Sequence, residues 1–342
     1  MNDSRNILVT GALGFVGRWL VQDLLSSGAE VVGIDRLPSG SEQPGVAGPF
    51  SREGPDPDLR DAVRYRSEAG SWLSVSMGLE DLGRVKELVS FIKPVEIYHL
   101  AAQSSAGLSF KDPFDTFISN VTGSLNLLEA VRELPVKAWP VLLSVGSCEE
   151  YGPQAQQVPV TERAVLRPVS PYGVSKVTQT LLCRQYAHSY HMPIVLVRSF
   201  SHTGPGQDTR FVFPSFARQI ATAEAGKAEP VIAVGNLAPI RDFLDVRDVV
   251  RAYRFLTAEG APGEVYNVSS GQALTIQEGL EILLETAQNK IEVSPDPERQ
   301  RPADIPYMVG DSTKLRAQTG WRPERNIRQT LGEMLTLARK EI

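Results

Sequence analysis

The sequence holds only two cysteines, Cys148 and Cys183, among 342 residues. They form no zinc spacing and no disulfide framework. Both suit reduced thiols in a cytosolic protein. Long apolar runs are also missing. None reaches the roughly 18 residues of a membrane span, so no membrane contact is expected. Histidines number four and are scattered, so no metal site is expected. Positive charge is not in excess: 35 lysines and arginines stand against 40 aspartates and glutamates, a net charge of -5. That balance removes nucleic acid as an expected partner. The N-terminus enters a strand pattern at Asn6, leaving no room for a secretory signal. A cytoplasmic location is expected. No internal repeat is visible.

What is present is an alternation. Short apolar runs at 6–10, 30–35, 97–101 and 141–145 alternate with helical spacing at 15–27, 80–92 and 114–134. Strands alternating with helices predict an α/β fold with a doubly wound parallel sheet of Rossmann type. A further helix opens at Ser170-Pro171, with serine suited to the N-cap and proline to the first turn. It runs to about residue 191 and is followed by a strand at 194–198. Thr275 and Glu278 read as a capping box opening a helix at 276–287. Residues 1–199, plus roughly 240–270, are expected to form the dinucleotide-binding domain. Residues 200–239 and 271–342 are expected to form a smaller C-terminal substrate-binding domain. Residues 36–71 carry five prolines and five glycines in 36 positions. They read as a mobile surface insertion in preference to a flap over the adenosine end.

The segment Thr10-Gly11-Ala12-Leu13-Gly14-Phe15-Val16-Gly17 is GxxGxxG between a strand and a helix. Gly11 permits a tight turn. Gly14 lets backbone approach a pyrophosphate at a helix N-terminus, and Gly17 lets that helix pack close. Phe15 and Val16 belong to the same cofactor-binding turn. Asp35 closes the second strand, where a carboxylate accepts from adenosine ribose hydroxyls. It favours NAD(H). Arg36 follows it and would attract a 2′-phosphate, which keeps NADP(H) as the second choice.

Tyr172 and Lys176 are four apart on the helix, on one face. Ser147 follows the strand at 141–145, at the carboxyl edge of the expected sheet, where such sheets bind ligands. Reducing a ketone leaves an alkoxide that needs a proton. A tyrosine, tuned by a nearby ammonium, can supply it. Ser147 can donate to the carbonyl oxygen.

With Ser147, Tyr172 and Lys176 following the glycine motif in this order, the chain resembles the extended short-chain dehydrogenases/reductases. More narrowly it resembles GDP-4-keto-6-deoxy-D-mannose reductases and GDP-mannose 4,6-dehydratases. The segments 198–207, 235–249 and 265–271 carry that narrower resemblance, and Gly204-Pro205-Gly206-Gln207 leans to the reductases. The resemblance implies a GDP-sugar substrate. It also implies that Leu100, Ala101 and Ala102, after His99, line the cofactor, and that Asn120 is a structural asparagine. Arg241 and Arg301 read as diphosphate clamps or as surface ion pairs. Ser104, Ser147 and Ser201 join them as substrate residues. His202 touches the cofactor or is a satisfied structural histidine. Glu149, two residues after Ser147, stands where the dehydratases place the base that takes the C5 proton. Two departures matter: Ser201 replaces an asparagine common in the family, and Ser76-Met77 replace an aspartate that faces the adenine.

The expected activity is NAD(P)H-dependent reduction of a GDP-4-keto-6-deoxyhexose. Dehydration of GDP-mannose is the alternative, with nucleotide-sugar epimerisation behind it. A binding protein that only senses the cofactor is disfavoured, because Tyr172 and Lys176 are both present. A homodimer is expected through the helices at 114–134 and 172–191, with Leu181 and Leu182 in the interface.

Overall fold

The computed structural model describes residues 6–36, 50–57, 59–299 and 305–342. Its main sheet has nine strands. These are β1 (Asn6–Thr10), β2 (Glu30–Asp35), β3 (Ser51–Pro55), β4 (Ala62–Ser67), β5 (Gly70–Ser76), β6 (Glu96–His99), β7 (Val141–Ser147), β8 (Ile194–Ser199) and the strand Val265–Val268. Their order is Val265–Val268, β8, β7, β6, β1, β2, β5, β4, β3. β1 pairs in parallel with β2 and β6, as do β2 with β5 and β6 with β7. Ile7, Leu8 and Val9 are wholly buried, as a parallel strand covered on both faces requires.

Helix α1 (Phe15–Ser26) follows β1, and α2 (Leu82–Ile92) follows β5. Asp81 caps α2 by accepting from the Arg84 N–H at 3.1 Å. Val85, Leu88, Val89 and Ile92 pack with Leu8, Ile34, Leu127 and Leu196 in one core. This is the apolar stripe that the helical spacing predicts.

Two expectations need correction. The insertion at 36–71 is not a loop throughout. β4 pairs antiparallel with both β3 and β5, and the three widen the sheet beyond β2. Glycine and proline at the turns hide the alternation that these strands carry. Trp72 stacks on Tyr65 with centroids 5.2 Å apart, and Phe50 meets Trp72 edge-on at 5.6 Å. This aromatic cluster gives the added strands a core of their own. The reading of a flap falls largely on residues 37–49, outside the described residues.

The helix expected at 114–134 is also interrupted. Short helices α3 (Ala106–Lys111) and α4 (Pro113–Phe117) precede a π-helical turn, Ile118–Thr122, which leads into α5 (Gly123–Arg132). Such a turn inserts one residue into the helical repeat, which periodicity does not register. It places Asn120 in the interior, fully buried. α6 (Pro171–Tyr190) starts at the Ser170 N-cap, which accepts from the Gly173 N–H.

The chain divides into two compact units. The first comprises residues 1–150, 168–198 and 250–266, and the second comprises 151–167, 199–249 and 267–342. Residues 151–167, 199, 240–249 and 267–270, expected in the first domain, group with the second unit. In that unit α7 (Val212–Glu224) packs with the helices Ile276–Glu285 and Ile327–Lys340 around Phe213, Phe216, Leu280, Leu331 and Leu335. The capping box of Thr275 and Glu278 is formed. Among the described residues no helix is long and apolar enough to cross a membrane, and no group of three or more His, Cys, Asp or Glu is placed to hold a metal ion. Both cysteines are free and buried.

Candidate active site

The glycine turn is held at both ends. The Gly11 N–H donates to the Ile34 carbonyl at 2.7 Å, and the Gly14 N–H donates to the Gly11 carbonyl at 3.1 Å. Gly11 has φ +75°, and a Cβ there would lie 3.0 Å from the Ala101 nitrogen. At Gly17 a Cβ would lie 2.0 Å from the Gly11 carbonyl oxygen. α1 begins with no side-chain cap and no acid in its first turn, so the positive end of its dipole suits an anion. Those features fit the pyrophosphate of a dinucleotide.

Asp35 sits at the end of β2, 8% exposed. Its carboxylate accepts from the Leu13 N–H at 2.8 Å and from the Ser74 hydroxyl at 3.1 Å. Burial raises its pKa to about 7, against those two hydrogen bonds. Arg36 turns away to form a two-pronged pair with Asp115 of α4, at 2.7 and 3.1 Å. Met77 is buried beside Ser76, the last residue of β5, and its N–H donates to the Asp35 carbonyl. Leu100, Ala101 and Ala102 follow β6, half-buried, with the Ala101 N–H donating to the Thr10 hydroxyl. Ser104 is exposed.

Beneath this lies a buried polar chain. His99 is hydrogen-bonded to Thr10 and to Ser124, each at 2.8 Å, and burial lowers its pKa to about 3. Ser124 donates to the Asn120 carbonyl. The Asn120 side chain donates to Ser175 at 2.9 Å and accepts from the Gln103 N–H at 2.8 Å. Ser175 donates to the Tyr172 carbonyl at 2.7 Å. Every member is satisfied, so the chain rigidifies the floor under α6.

The fold brings Ser147, Tyr172 and Lys176 together at the carboxyl end of β7. The Ser147 side chain favours the ionised form of the Tyr172 phenol. Burial raises the pKa of Tyr172, which Ser147 opposes and the charges of Glu149 and Glu150 reinforce. The Lys176 ammonium lies 6.0 Å from the Tyr172 ring centroid. It donates to the Val145 carbonyl and the Gln179 side-chain oxygen, both at 2.8 Å. Burial lowers its pKa to about 8.

Sequence reasoning missed Glu150 and Arg198. Glu150 is 0% exposed and Arg198 4%. They pair at 2.9 Å. A signal existed: Arg198 ends the apolar run Ile194-Val195-Leu196-Val197, and a charge in such a strand requires a partner. Glu149 lies half-buried in the turn Cys148–Glu150, its N–H donating to the Ser147 hydroxyl at 3.2 Å.

Ser201, His202 and Arg241 belong to the second unit. The His202 ring donates to the Phe200 carbonyl at 2.9 Å. Gln207 accepts from the Thr203 hydroxyl and donates to the His202 carbonyl, stapling the turn after Gly206. Arg241 is half-buried and donates to the Ile240 carbonyl. The neighbouring Asp242 is fully buried and accepts from Ser270, Gly271 and Gly310. Arg301 lies outside the described residues.

A family model described as GDP-mannose 4,6 dehydratase matches residues 8–334. The chain belongs to this family. A GDP-6-deoxy-D-mannose reductase of Pseudomonas aeruginosa is 38% identical over 244 residues, covering 71% of this chain and 80% of the relative. A GDP-mannose 4,6-dehydratase of Sinorhizobium fredii is 29% identical over 354 residues, covering 98% of this chain and 97% of the relative. Among solved structures, RMD from Pseudomonas aeruginosa complexed with NADPH matches with a TM-score of 0.78 and 30% identity, over 99% of this chain and 100% of that one. A Thermotoga maritima UDP-glucose 4-epimerase with UDP-glucose matches with a TM-score of 0.81 and 25% identity, over 98% and 99%. The family match therefore spans Tyr172 and the glycine turn alike, within one extended short-chain dehydrogenase fold.

Proposed function

We propose that this protein reduces the 4-keto group of a GDP-4-keto-6-deoxyhexose with a nicotinamide cofactor. The observation that carries this reading is the buried Tyr172 phenol, kept protonated by burial, in a chain 38% identical to a reductase of such a sugar. The cofactor supplies the hydride that reaches C4. Tyr172 holds the proton that passes to the C4 oxygen. Ser147 donates a hydrogen bond to that oxygen, which favours the charge developing there. Lys176 holds a positive charge beneath the phenol. Arg241 and Arg301 take the diphosphate, because a guanidinium matches phosphate oxygens in pairs. The first unit binds the cofactor, and the second carries the substrate-recognising arginines.

Dehydration of GDP-mannose is the second reading, and Glu149 favours it. It stands two residues beyond Ser147, half-buried, with a carboxylate suited to taking a proton made acidic by a C4 ketone. Glu149→Gln separates the two. For a reductase, NADH-dependent consumption of the 4-keto sugar stays within a few-fold of wild type. For a dehydratase, water loss from GDP-mannose is abolished. Wild-type protein that dehydrates GDP-mannose with no net NADH consumption would overturn the reductase reading.

We infer NAD(H) as the preferred cofactor. Asp35 repels a 2′-phosphate, and Arg36 is already engaged by Asp115. The NADPH in the Pseudomonas aeruginosa structure speaks for the other choice. Fluorescence titration is expected to give a lower Kd for NADH than for NADPH, and the reverse order refutes the inference. A cytosolic location fits the two reduced thiols.

We also infer a homodimer through α4, α5 and α6. These elements pack on one another and leave Phe114 80% and Leu181 54% exposed, with Ile118 and Val174 exposed beside them. An apolar surface of this kind marks an interaction face. Leu182 is not part of it, since it packs against the core. Leu181→Glu should yield a folded monomer in sedimentation, where wild type sediments as a dimer. A wild-type monomer at micromolar concentration contradicts the inference.

A further inference from the structure

We propose that Glu150 is the positioning residue of the reacting groups: its buried carboxylate clamps the main chain at Ser147 and so fixes where the Ser147 hydroxyl is presented. This rests on the reading of Ser147 and Tyr172 as reacting groups.

The geometry is a three-point anchor. β7 ends at Ser147, and the 3-10 turn Cys148–Glu150 folds the Glu150 side chain back beneath the strand end. One carboxylate oxygen accepts from the Ser147 N–H at 3.0 Å and from the Thr180 hydroxyl at 3.1 Å. The other accepts from Arg198 Nε at 2.9 Å. The donors come from β7, α6 and β8. Gly146 leaves the space for this. A Cβ there would lie 2.2 Å from the Glu150 oxygen and 2.8 Å from the Val197 carbonyl oxygen. With carboxylate and guanidinium both out of water, moving either costs heavily.

The consequence falls on the Ser147 hydroxyl. A hydroxyl has one proton and two lone pairs. The Glu149 N–H occupies one lone pair at 3.2 Å, which turns the proton and the other lone pair away from the strand end. That orientation exists only while the turn keeps its shape, and Glu150 closes the turn. An ion pair serving stability alone needs no bond to Ser147. Burial leads in setting the pKa values of both Tyr172 and Lys176, and the Glu150 charge adds an upward push to each. The other groups acting on this pair are Glu149, Cys148 and Cys183.

The test is a double-mutant cycle of Ser147→Ala and Glu150→Gln, read as kcat, KM, cofactor Kd and melting temperature. Glu150→Gln is expected to lower kcat roughly 10-fold or more, the scale of a misplaced reacting group, with cofactor Kd unchanged. In the Ser147→Ala background the same change should cost nothing further, because Glu150 acts through Ser147. Losses that multiply independently would overturn the proposal. If Glu150→Gln does not fold, the exchange Glu150→Met with Arg198→Met removes both buried charges, which cores tolerate. Run through the same cycle, it should show the same non-additive loss. Wild-type kcat in that folded variant would also overturn it. Failure of the underlying reading shows separately, as full activity in Tyr172→Phe.

Discussion

Tyr172→Phe is expected to lower turnover by at least about 100-fold, the lower range for loss of a general acid, while the cofactor Kd barely moves. The change removes one oxygen. The ring stays buried, and its i+4 neighbour Lys176 keeps its own partners at Val145 and Gln179. Nothing in the glycine turn or at Asp35 depends on the phenol oxygen, so dinucleotide affinity is preserved. What disappears is the proton that the C4 oxygen needs once hydride has arrived. Burial keeps the phenol protonated through neutral pH, so the acid is present at working pH in the wild type. Single-turnover kinetics on the 4-keto sugar, with a parallel NADH titration, would check both halves. Wild-type turnover would remove Tyr172 from the mechanism.

Gly17→Ala is expected to weaken dinucleotide binding by about 10- to 100-fold, the value of one or more hydrogen bonds to a charged group. The new Cβ would sit 2.0 Å from the Gly11 carbonyl oxygen and 2.7 Å from that of Ala12. Both obstacles are backbone, so no rotamer change relieves them. α1 must move off the turn, and its N-terminal N–H groups move with it. The same displacement costs the fold roughly 1–3 kcal/mol, as overpacking does. Equilibrium denaturation and a cofactor titration would read the two losses separately. An unchanged Kd for NADH would mean that the turn is not the pyrophosphate site.

These two residues differ in how openly they declare themselves. Gly17 is legible because the turn needs glycine for reasons local to ten residues. Tyr172 is legible only by association, since YxxxK on a helix arises easily by chance. Ser147 and the glycine turn made it specific. The strands β3 and β4 were not legible. β3 holds glycine and proline, and the order of β4 depends on Trp72 and Tyr65 meeting across a hairpin. The π-helical turn at Asn120 was not legible either, because it lies in a stretch whose spacing reads as one continuous helix.

By itself the sequence determined the class of fold, the dinucleotide turn, the order of Ser147, Tyr172 and Lys176, and the family resemblance. Each of these rests on local spacing: three glycines in one turn, two residues on one helix face, apolar runs of strand length. Only the tertiary structure decided which charges share a burial site. Glu150 and Arg198 are 48 residues apart in the chain, and so remote a pair has no local signature. The tertiary structure also decided that Lys176 turns to Val145 and Gln179, and that Arg36 turns to Asp115. The physical reason is the same in each case. A charged side chain out of full solvent takes the nearest partner that satisfies it, and which partner is nearest is settled by how distant strands and helices pack.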